Sequence, residues 1–457
     1  MHYRNLLKEL QDWKHSNTRK PLIIRGARQV GKTTLVNEFG LQYKQYIYLN
    51  LEKKEDAAIF KTYTHFSALI DTIFFLNDKD IRETDTLIFI DEIQEVPEAI
   101  NLLRYFYEDF SQFHVIASGS LLETVLNEKI TTPVGRVEYK VLRPMAFNEF
   151  LNAINETPAL KQYQNVPIAA FAHDKLLQLF HTYTLIGGMP EIVKNYAQNR
   201  NLTALLSIYE SLQFSYITDV EKYARNTTMV QVIRHIIKSM GSEAGSRIKF
   251  QNFGQSNYGS REVGEAIRTI EKTLLLHLVY PCTSTTLPLF PDKKKSPRLQ
   301  LLDTGLMNFV AGIQKEIVGS ANLEKVYQGR LIEHIVGQEL LATKYNVMSE
   351  LHFWTREKID ANAEIDYIHV FDGQLIPIEI KSGATGRLRS LHSFIDASPQ
   401  DLAVRIYGGK LGIDKLTSPN GKIFYLLNLP YYLTGQIDQY LTWFRAEVSA
   451  GSFAKGK

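Results

Sequence analysis

The sequence is poor in cysteine, in unbalanced charge and in long apolar runs. Its 457 residues include one cysteine, Cys282, which excludes an internal disulfide framework and any metal site built from several cysteines. The formal net charge is only +3, so any nucleic-acid surface has to be a local patch. No run approaches the roughly 20 apolar residues that a membrane-spanning helix needs, so no membrane partner is expected.

The remaining composition is that of a globular protein. Hydrophobic residues make up 44% and charged residues 22% of the chain, which is ample material for buried cores. At about 100–200 residues per domain, the length predicts two to four domains. Residues 1–14 are polar and amphipathic and lack the apolar core of a signal peptide. Together with the scarcity of cysteine, this predicts a soluble cytoplasmic protein.

The chain is organised around residues 26–34, which fit the phosphate-loop pattern of a glycine, four residues and then Gly-Lys-Thr. A strand-like run precedes the loop and a helix-like pattern follows it, which disfavours a chance glycine turn. Lys32 is expected to reach the β and γ phosphates, and the Thr33 hydroxyl to hold Mg²⁺. The predicted nucleotide-binding residues of the loop are Gly26, Ala27, Arg28, Gln29, Val30, Gly31, Lys32, Thr33 and Thr34.

Two later strands also end in polar residues. Residues 86–92 read as a buried strand that ends in Asp91 and Glu92. We expect Asp91 to hold Mg²⁺ through its water shell and Glu92 to polarise the attacking water. A strand at 113–117 leads to Ser118, which is predicted to contact the γ-phosphate or this water. The alternative is that serines at this strand end cap the following helix.

The first 150 residues alternate strand-like and helix-like segments. Strands are predicted near residues 21–24, 45–51, 86–92, 113–117 and 137–142. This alternation predicts an α/β fold with a parallel sheet and helices on both faces. Ligands bind at the carboxyl ends of the strands in such sheets, where the residues named above fall.

Several of these motifs together resemble the bacterial and archaeal AAA-type ATPases that carry an uncharacterised C-terminal region. The resemblance rests on residues 26–34, 87–92 and 115–120, on Gly135-Arg136 and on the run 142–150. It implies an ATPase core over residues 1–150 that takes ATP rather than GTP, and a guanine-specific Asn-Lys-x-Asp motif is missing from the sequence.

Arg136 stands where an arginine would stabilise γ-phosphate charge, in cis or from a neighbouring subunit. The alternative, to which we give equal weight, is that Arg136 only pairs with an acidic residue on the surface. The sequence shows no arginine-finger motif of the ring-forming AAA type, which argues against a hexamer. A different homo-oligomer or a protein partner is left open.

Residues 151–228 are interpreted as a helical lid. Helical periodicity covers residues 171–183 and 202–216, and Leu-Ile-Gly-Gly-Met-Pro-Glu at 185–191 separates the two segments. This stretch resembles the Gly-x-Pro turn of signalling-type ATPases, whose lid touches the nucleotide, so Pro190 is a candidate nucleotide contact. The alternative is a helix end followed by a proline that starts the next helix.

Residues 229–312 have the pattern of a winged helix-turn-helix. Helical segments at 230–237 and 260–275 flank a short element at 250–253, and strands follow at 276–280 and 297–302. The loop between these strands holds Lys293, Lys294 and Lys295, which are predicted to contact DNA phosphates. The alternative is a protein–protein module with a solvated lysine loop.

Residues 313–457 carry a second set of chemical groups. Glu333 lies on the apolar stripe of a predicted helix, and Asp366 lies in a predicted strand. In the strand 375–381, the isoleucines face one way while Glu379 and Lys381 face the other. Pro377 within this strand suggests an edge strand or a bulge.

This set resembles the PD-(D/E)xK nuclease superfamily. The resemblance implies that Asp366 and Glu379 hold Mg²⁺ or Mn²⁺ with the help of Glu333, and that Lys381 orients or activates the attacking water. The alternative is an ordinary Glu/Lys pair on a solvated strand face.

The sequence therefore predicts a P-loop ATPase core (1–150), a helical lid (151–228), a winged helix (229–312) and a small α/β nuclease-like domain (313–457). The leading hypothesis is an ATP-hydrolysing protein coupled to a DNA-directed module, a Mg²⁺- or Mn²⁺-dependent nuclease. The alternative is a nucleotide-switched regulatory protein, binding DNA or a protein partner, whose nuclease fold is catalytically silent.

Overall fold

The computed structural model of the protein describes six stretches of the chain. The described residues are 3–63, 65–120, 135–312, 329–356, 363–381 and 388–451. The start of the helix that Ser120 was predicted to cap lies outside them. Within these stretches, no helix has both the length and the apolar character needed to cross a membrane.

A parallel sheet forms the N-terminal part of the fold. Its strands are β1 (Leu22–Arg25), β2 (Gln45–Asn50), β3 (Thr86–Asp91), β4 (His114–Gly119) and β5 (Glu138–Val141). They lie in the order β2, β3, β4, β1, β5, and all neighbours pair in parallel. The carboxyl ends of β1, β3 and β4 therefore meet at one edge, which confirms the predicted parallel α/β sheet.

Helices cover both faces of this sheet. They are α1 (Leu6–Lys14), α2 (Lys32–Gly40), α3 (Lys54–Thr62), α4 (Phe66–Leu76) and α5 (Pro97–Glu108). Leu22 and Ile24 of β1 belong to the core that contains α1 and α2, whereas Ile23 belongs to the core that contains α3, α4 and α5. This alternation follows from the two-residue period of a strand.

A set of helices follows the sheet. These are α6 (Phe147–Ala153), α7 (Thr157–Tyr163), α8 (His173–Ile186), α9 (Pro190–Asn199) and α10 (Leu206–Glu221). α8 ends at Gly187, whose φ of 69° favours glycine, and Pro190 occupies the first turn of α9. The glycine–proline stretch is thus a helix end followed by a proline-started helix, as one of the two interpretations had it.

The middle region consists of α11 (Thr227–Glu243), α12 (Ser260–Lys272), β6 (Leu276–Cys282), β7 (Arg298–Leu301) and α13 (Thr304–Val310). β6 and β7 form an antiparallel hairpin. The predicted short element is a 3₁₀ turn at Phe253–Gln255. The helix predicted to reach residue 275 stops earlier, because Leu274 has a left-handed φ of 63°. The winged-helix assignment itself stays a prediction.

The C-terminal region adds a second large sheet. Its elements are α14 (Arg330–Ala342), β8 (His352–Thr355), β9 (Glu364–Ile365), β10 (Tyr367–Phe371), β11 (Gln374–Lys381), α15 (Arg389–Ala397), β12 (Leu402–Tyr407), β13 (Gly412–Thr417), β14 (Ile423–Pro430) and α16 (Ile437–Ala450). One sheet has the order β10, β11, β12, β14, β13. Another has the order β7, β6, β8, β9 and so joins the hairpin to the C-terminal strands.

Pro377 lies in an interior strand, so the prediction of an edge strand was wrong. β11 is flanked by β10 on one side and by β12 on the other. The pairing of β11 with β12 begins at Ile378. Pro377, which has no N–H group to donate, therefore stands just before that ladder starts.

Candidate functional site

The loop of residues 26–34 leaves the carboxyl end of β1 and runs into α2. Gln29 and Gly31 have left-handed φ angles of 65° and 97°. A Cβ atom at Gly26 would lie 2.4 Å from the carbonyl oxygen of Leu142, so only glycine fits at that point. The loop thus has the tight curvature and the helix start that phosphate binding needs.

Ala27, Val30 and Thr34 of the same loop differ in the exposure of their side chains. The side chains of Ala27 and Val30 are buried in the core, so these residues have only backbone groups to offer a ligand. Thr34 is exposed in the first turn of α2. Nucleotide contacts of these residues stay predictions.

The Lys32 ammonium group is held inside the loop. Its Nζ atom donates to the carbonyl oxygens of Gly26, at 2.9 Å, and Ala27, at 3.1 Å. Burial lowers the pKa of Lys32 from its ordinary value, and the nearby acids Glu92 and Asp91 oppose this shift. Both hydrogen-bond acceptors are uncharged, so an anionic phosphate is a stronger partner for this ammonium group.

Asp91 lies at the end of β3 and is surrounded by hydroxyl groups. The Thr33 hydroxyl donates to its Oδ2 atom at 2.7 Å, and the Tyr48 hydroxyl donates to the same atom at 3.2 Å. The Ser118 hydroxyl donates to Oδ1. A hydroxyl and a carboxylate in contact are hard oxygen ligands, so Thr33 and Asp91 fit a Mg²⁺ ion at this point.

Glu92 follows directly and has a left-handed φ of 51°. Its Oε2 atom accepts a hydrogen bond of 2.6 Å from the Gln94 side chain. Burial raises the pKa of Glu92, while Lys32 lowers it. A basic carboxylate next to the residue that is predicted to hold Mg²⁺ suits the predicted role of polarising water.

Ser118 lies at the same edge, at the end of β4. It is fully buried, and its hydroxyl contacts the Asp91 carboxylate. The structure therefore brings Ser118 to the predicted site. Its contact with a γ-phosphate or with water stays a prediction.

Arg4 supports the loop from outside and was missed in the sequence. Its Nη1 atom donates to the Val30 carbonyl at 2.8 Å, and its Nε atom donates to the Glu149 carboxylate at 3.1 Å. Arg4 and Glu149 are 5% and 4% exposed, so this ion pair is well shielded from solvent. The pair ties the phosphate loop to α6.

The lid helices reach the phosphate loop. A Cβ atom at Gly31 would lie 3.6 Å from Cγ of Pro190, which places Pro190 directly beside the loop. The Tyr216 hydroxyl of α10 donates to the Arg28 carbonyl at 3.0 Å. The Arg28 guanidinium donates to Asp219 of the same helix. The loop therefore touches α9 and α10, while a contact between Pro190 and a nucleotide stays a prediction.

Arg136 lies far from the phosphate loop in its own chain. It precedes β5, whose first residue, Glu138, pairs with Leu22 at the start of β1. The loop leaves the opposite end of β1. Nε of Arg136 donates to Glu108 at 2.8 Å, which is the predicted alternative of pairing with a surface acid. Contact in cis does not fit this geometry, and contact from a neighbouring subunit stays a prediction.

The structure also brings together the predicted residues of the C-terminal region. In the antiparallel register of β10 and β11, Tyr367 lies opposite Ile378, and Asp366 and Glu379 are the next residues beyond this pair. Lys381 donates to the Glu379 carboxylate at 2.5 Å, and the Ile380 N–H donates to Asp366 at 2.8 Å. Burial, and then the charge of Asp366, raises the pKa of Glu333 to about 7, because α14 places Glu333 beside the same carboxylate.

A residue outside the predicted set lies among these carboxylates. Arg298, the first residue of β7, places Nη2 3.5 Å from Asp366 Oδ1 and Nη1 3.7 Å from Glu333 Oε2. It also donates to Glu364. Burial disfavours the charged guanidinium, but the three acids outweigh burial and raise the pKa of Arg298.

The predicted ligands of Mg²⁺ or Mn²⁺ in this region do not fit a divalent cation as they stand. Glu333 and Asp366 face the Arg298 guanidinium, and Glu379 accepts from Lys381. Within the described stretches, no group of three or more His, Cys, Asp or Glu side chains is arranged to hold a metal ion. The acids converge as expected, but arginine and lysine supply their counter-charge.

Three family models match successive parts of this chain. An AAA domain matches residues 18–151, and two domains of unknown function, DUF8612 and DUF4143, match residues 177–317 and 328–432. No curated protein matches the chain. The AAA match spans β1 to β5 and therefore includes the phosphate loop, Asp91 and Glu92.

Several solved structures are similar at low identity. A Walker-type ATPase of Pyrococcus abyssi is 14% identical, with a TM-score of 0.43 over 68% of this chain and 96% of that one. The Orc1 protein of Aeropyrum pernix in complex with DNA is 15% identical, with a TM-score of 0.31 over 69% and 93%. A RuvB variant of Thermotoga maritima is 15% identical, with a TM-score of 0.25 over 64% and 92%.

Proposed function

We propose that this chain, which carries an AAA-type P-loop ATPase domain at residues 18–151, binds ATP with Mg²⁺, hydrolyses it and passes its nucleotide state to the middle and C-terminal regions. The hydrogen bond of 2.7 Å between Thr33 and Asp91 carries the proposal. It joins the loop and the β3 acid at one edge of the sheet, beside the buried Lys32.

Each residue has a separate task in this proposal. The loop N–H groups and Lys32 hold and neutralise the β and γ phosphates. Thr33 and Asp91 hold Mg²⁺, which when bound neutralises charge on the phosphates. Glu92 accepts a hydrogen bond from the attacking water and orients it towards the γ-phosphate.

Contacts beyond the site support the transmission of nucleotide state. Pro190 lies beside Gly31, and the same stretch continues back to Gly188. The Gly188 N–H donates to the Asp303 carboxylate at 2.6 Å, and Asp303 caps α13 by accepting from Leu306 at 3.1 Å. A movement of the loop against Pro190 would therefore act on the middle region through a fully buried carboxylate.

ATP binding and turnover by two variants test the enzyme. In Lys32→Ala we expect both to fall by about 100-fold or more, because the charge opposite the phosphates is lost. In Glu92→Gln we expect binding to persist and turnover to fall by about 100-fold. Lys44→Ala is the matched control, because Lys44 pairs with Glu83 on the surface. Full turnover in Lys32→Ala would refute the proposal.

The second candidate function is a Mg²⁺- or Mn²⁺-dependent DNA nuclease in the C-terminal region. The convergence of Glu333, Asp366, Glu379 and Lys381 favours it. The exposed side chains of Lys293 and Lys294 in the β6–β7 loop would give DNA phosphates a cationic surface.

A cleavage assay separates the two candidates. Wild type and Lys381→Ala would be given plasmid and linear DNA with Mg²⁺ or Mn²⁺, with and without ATP. Cutting that disappears in Lys381→Ala and persists in Lys415→Ala, an exposed lysine of the same sheet, would establish the nuclease. Intact ATP turnover without cutting would leave the nucleotide-switched protein as the function.

A further inference from the structure

Four residues form what we call the acid cluster of the C-terminal region: Glu333, Glu364, Asp366 and Glu379. Arg298 contacts three of them, Glu333, Glu364 and Asp366, and comes from another part of the chain. Arg298 belongs to the region that matches one family model, residues 177–317, whereas the acids belong to the region that matches another, residues 328–432. We propose that Arg298 is an intramolecular clasp that competes with divalent cations for this cluster.

The contacts of Arg298 involve most of its donor groups. Nη2 donates to Glu364 and lies 3.5 Å from Oδ1 of Asp366. Nη1 lies 3.4 Å from the backbone carbonyl of Asp366 and 3.7 Å from Glu333 Oε2. A planar guanidinium with five N–H groups can satisfy several carboxylates at once, which a lysine ammonium group cannot do in the same geometry.

The clasp is shielded from solvent. The Arg298 and Asp366 side chains are each 13% exposed. The guanidinium carbon of Arg298 lies 4.7 Å from the centre of the Phe353 ring, so the ring covers the charge. Shielded charges of this kind depend on their partners, because removing one partner leaves the other uncompensated.

The formal charges of the cluster nearly balance without a metal ion. Arg298 faces Glu333, Glu364 and Asp366, and Arg247 adds a second guanidinium 2.6 Å from Glu364. Lys381 faces Glu379. A divalent cation would have to displace Arg298 from two of the three carboxylates that we expected to hold it.

One acid oxygen is still open to a further ligand. Glu379 is 5% exposed, and its Oε2 atom has no hydrogen-bond partner in the described part of the chain. Lys381 contacts the other oxygen, Oε1. A buried carboxylate oxygen without a donor favours a cation, so Glu379 would add one ligand to those that Arg298 frees on Glu333 and Asp366 when it withdraws.

The inference deepens the second candidate function and rests on its acidic residues, but not on DNA cleavage. Its test is the binding of Mn²⁺ to the full chain without nucleotide. Isothermal titration calorimetry and electron paramagnetic resonance measure this binding. In Arg298→Ala we expect Mn²⁺ to bind at the cluster about tenfold more tightly than in wild type. The gain should disappear in Arg298→Ala combined with Asp366→Asn.

Arg247→Ala is the matched control. Arg247 also contacts Glu364 and lies 5.0 Å from the centre of the Phe353 ring, but no contact joins it to Asp366 or Glu333 in the described structure. We expect this variant to bind Mn²⁺ as wild type does. A gain in Arg247→Ala equal to that in Arg298→Ala would overturn the clasp, because any loss of positive charge would then suffice.

Two further measurements test the proposal, and the first of them keeps it open to refutation if Arg298→Ala does not fold. Arg298→Lys retains one charge with fewer donors, and we expect a smaller gain in Mn²⁺ affinity. Guanidinium ions added to Arg298→Ala should displace the Mn²⁺. No gain in a folded Arg298 variant, or tight Asp366-dependent binding in wild type, would overturn the proposal, whatever the cleavage and ATPase assays show.

Discussion

The nucleotide site and the acid cluster differ in what their charged groups contact. At the nucleotide site, Asp91 accepts from hydroxyl groups and Lys32 donates to backbone carbonyls, so most partners are neutral. In the acid cluster, carboxylates face Arg298 and Lys381 directly. Neutral partners exchange readily for phosphate and Mg²⁺, whereas ionic partners must first be pulled apart.

Convergence of acids does not by itself make a metal site. Both sites gather acids from strands and a neighbouring helix or loop. Only at the nucleotide site does the acid, Asp91, contact neutral hydroxyl groups, whose place a hard cation can take or whose oxygen atoms it can bind. In the acid cluster, arginine and lysine side chains of the same chain compensate the negative charge of the carboxylates. Whether an acid can bind a metal ion therefore depends more on its contacts than on its position in the fold.

Exchanging one acid in each site gives the largest expected effect. Asp91→Asn should lower ATP turnover by about 100-fold, because the Mg²⁺-binding charge is removed. Asp366→Asn should leave turnover within about twofold of wild type, because its carboxylate faces Arg298 rather than the nucleotide. Steady-state ATPase assays on the full chain measure both. Equal losses in the two variants would break the distinction between the sites.

A third buried acid, Glu339, has neutral hydrogen-bond donors as partners and should make the stability of the protein depend on pH. Glu339 of α14 accepts from the Tyr183 hydroxyl at 2.7 Å and from the Phe147 N–H at 3.1 Å. Burial raises its pKa from 4.5 to about 7. The folded protein therefore keeps a proton that the unfolded chain releases, so the free energy of unfolding should fall as pH rises from about 4.5 to 7.

Glu339→Gln should remove this part of the pH dependence. We expect its free energy of unfolding, relative to wild type, to rise by about 2 kcal/mol between pH 4.5 and about pH 6.5. Urea denaturation at the two pH values measures the difference. Glu350→Gln, at an exposed position of the same region, is the control and should show no such change. If the stability of Glu339→Gln changed with pH as much as that of wild type, the raised pKa would not belong to Glu339.

The smallest expected effect concerns an ionic contact of the phosphate loop, between Arg28 and Asp219. Asp219 accepts from Arg28 of the loop. In Asp219→Asn a negative charge is removed from beside the loop, and Arg28 keeps only the exposed Glu52, 3.7 Å away, as an acidic partner, so ATP should bind about threefold more tightly. Glu221→Gln is the control on the same helix, because Glu221 pairs with Arg234 instead. Titration with a fluorescent ATP analogue measures both, and weaker binding in Asp219→Asn would contradict the argument.

The two sites were predictable from the sequence to different degrees. The loop glycines, Lys32, Asp91 and Glu92 have local signals, because each motif spans a few residues at the end of one strand. Ser118 could be placed by the same reasoning about strand ends. The fold of the first 150 residues followed from alternating periodicity, and the five predicted strands match the observed ones closely.

The contacts that the sequence did not predict join distant parts of the chain. Arg4 and Glu149 are 145 positions apart, Arg28 and Asp219 are 191 apart, and Arg298 and Asp366 are 68 apart. Charged residues occur everywhere on a surface, so nothing local shows which acid each of these arginines contacts. Arg136 shows the converse, because a plausible motif position lies at the edge of the sheet opposite the phosphate loop of its own chain.

The pairing of β6 with β8 has a practical consequence for work with fragments. The two strands pair in parallel, with Tyr280 opposite His352, although they lie on either side of residues 313–328. A chain cut within that stretch would expose one unpaired backbone edge on each piece, and such edges promote aggregation. The two pieces should be poorly soluble alone and should regain solubility when produced together, as complementary parts of one cooperative unit.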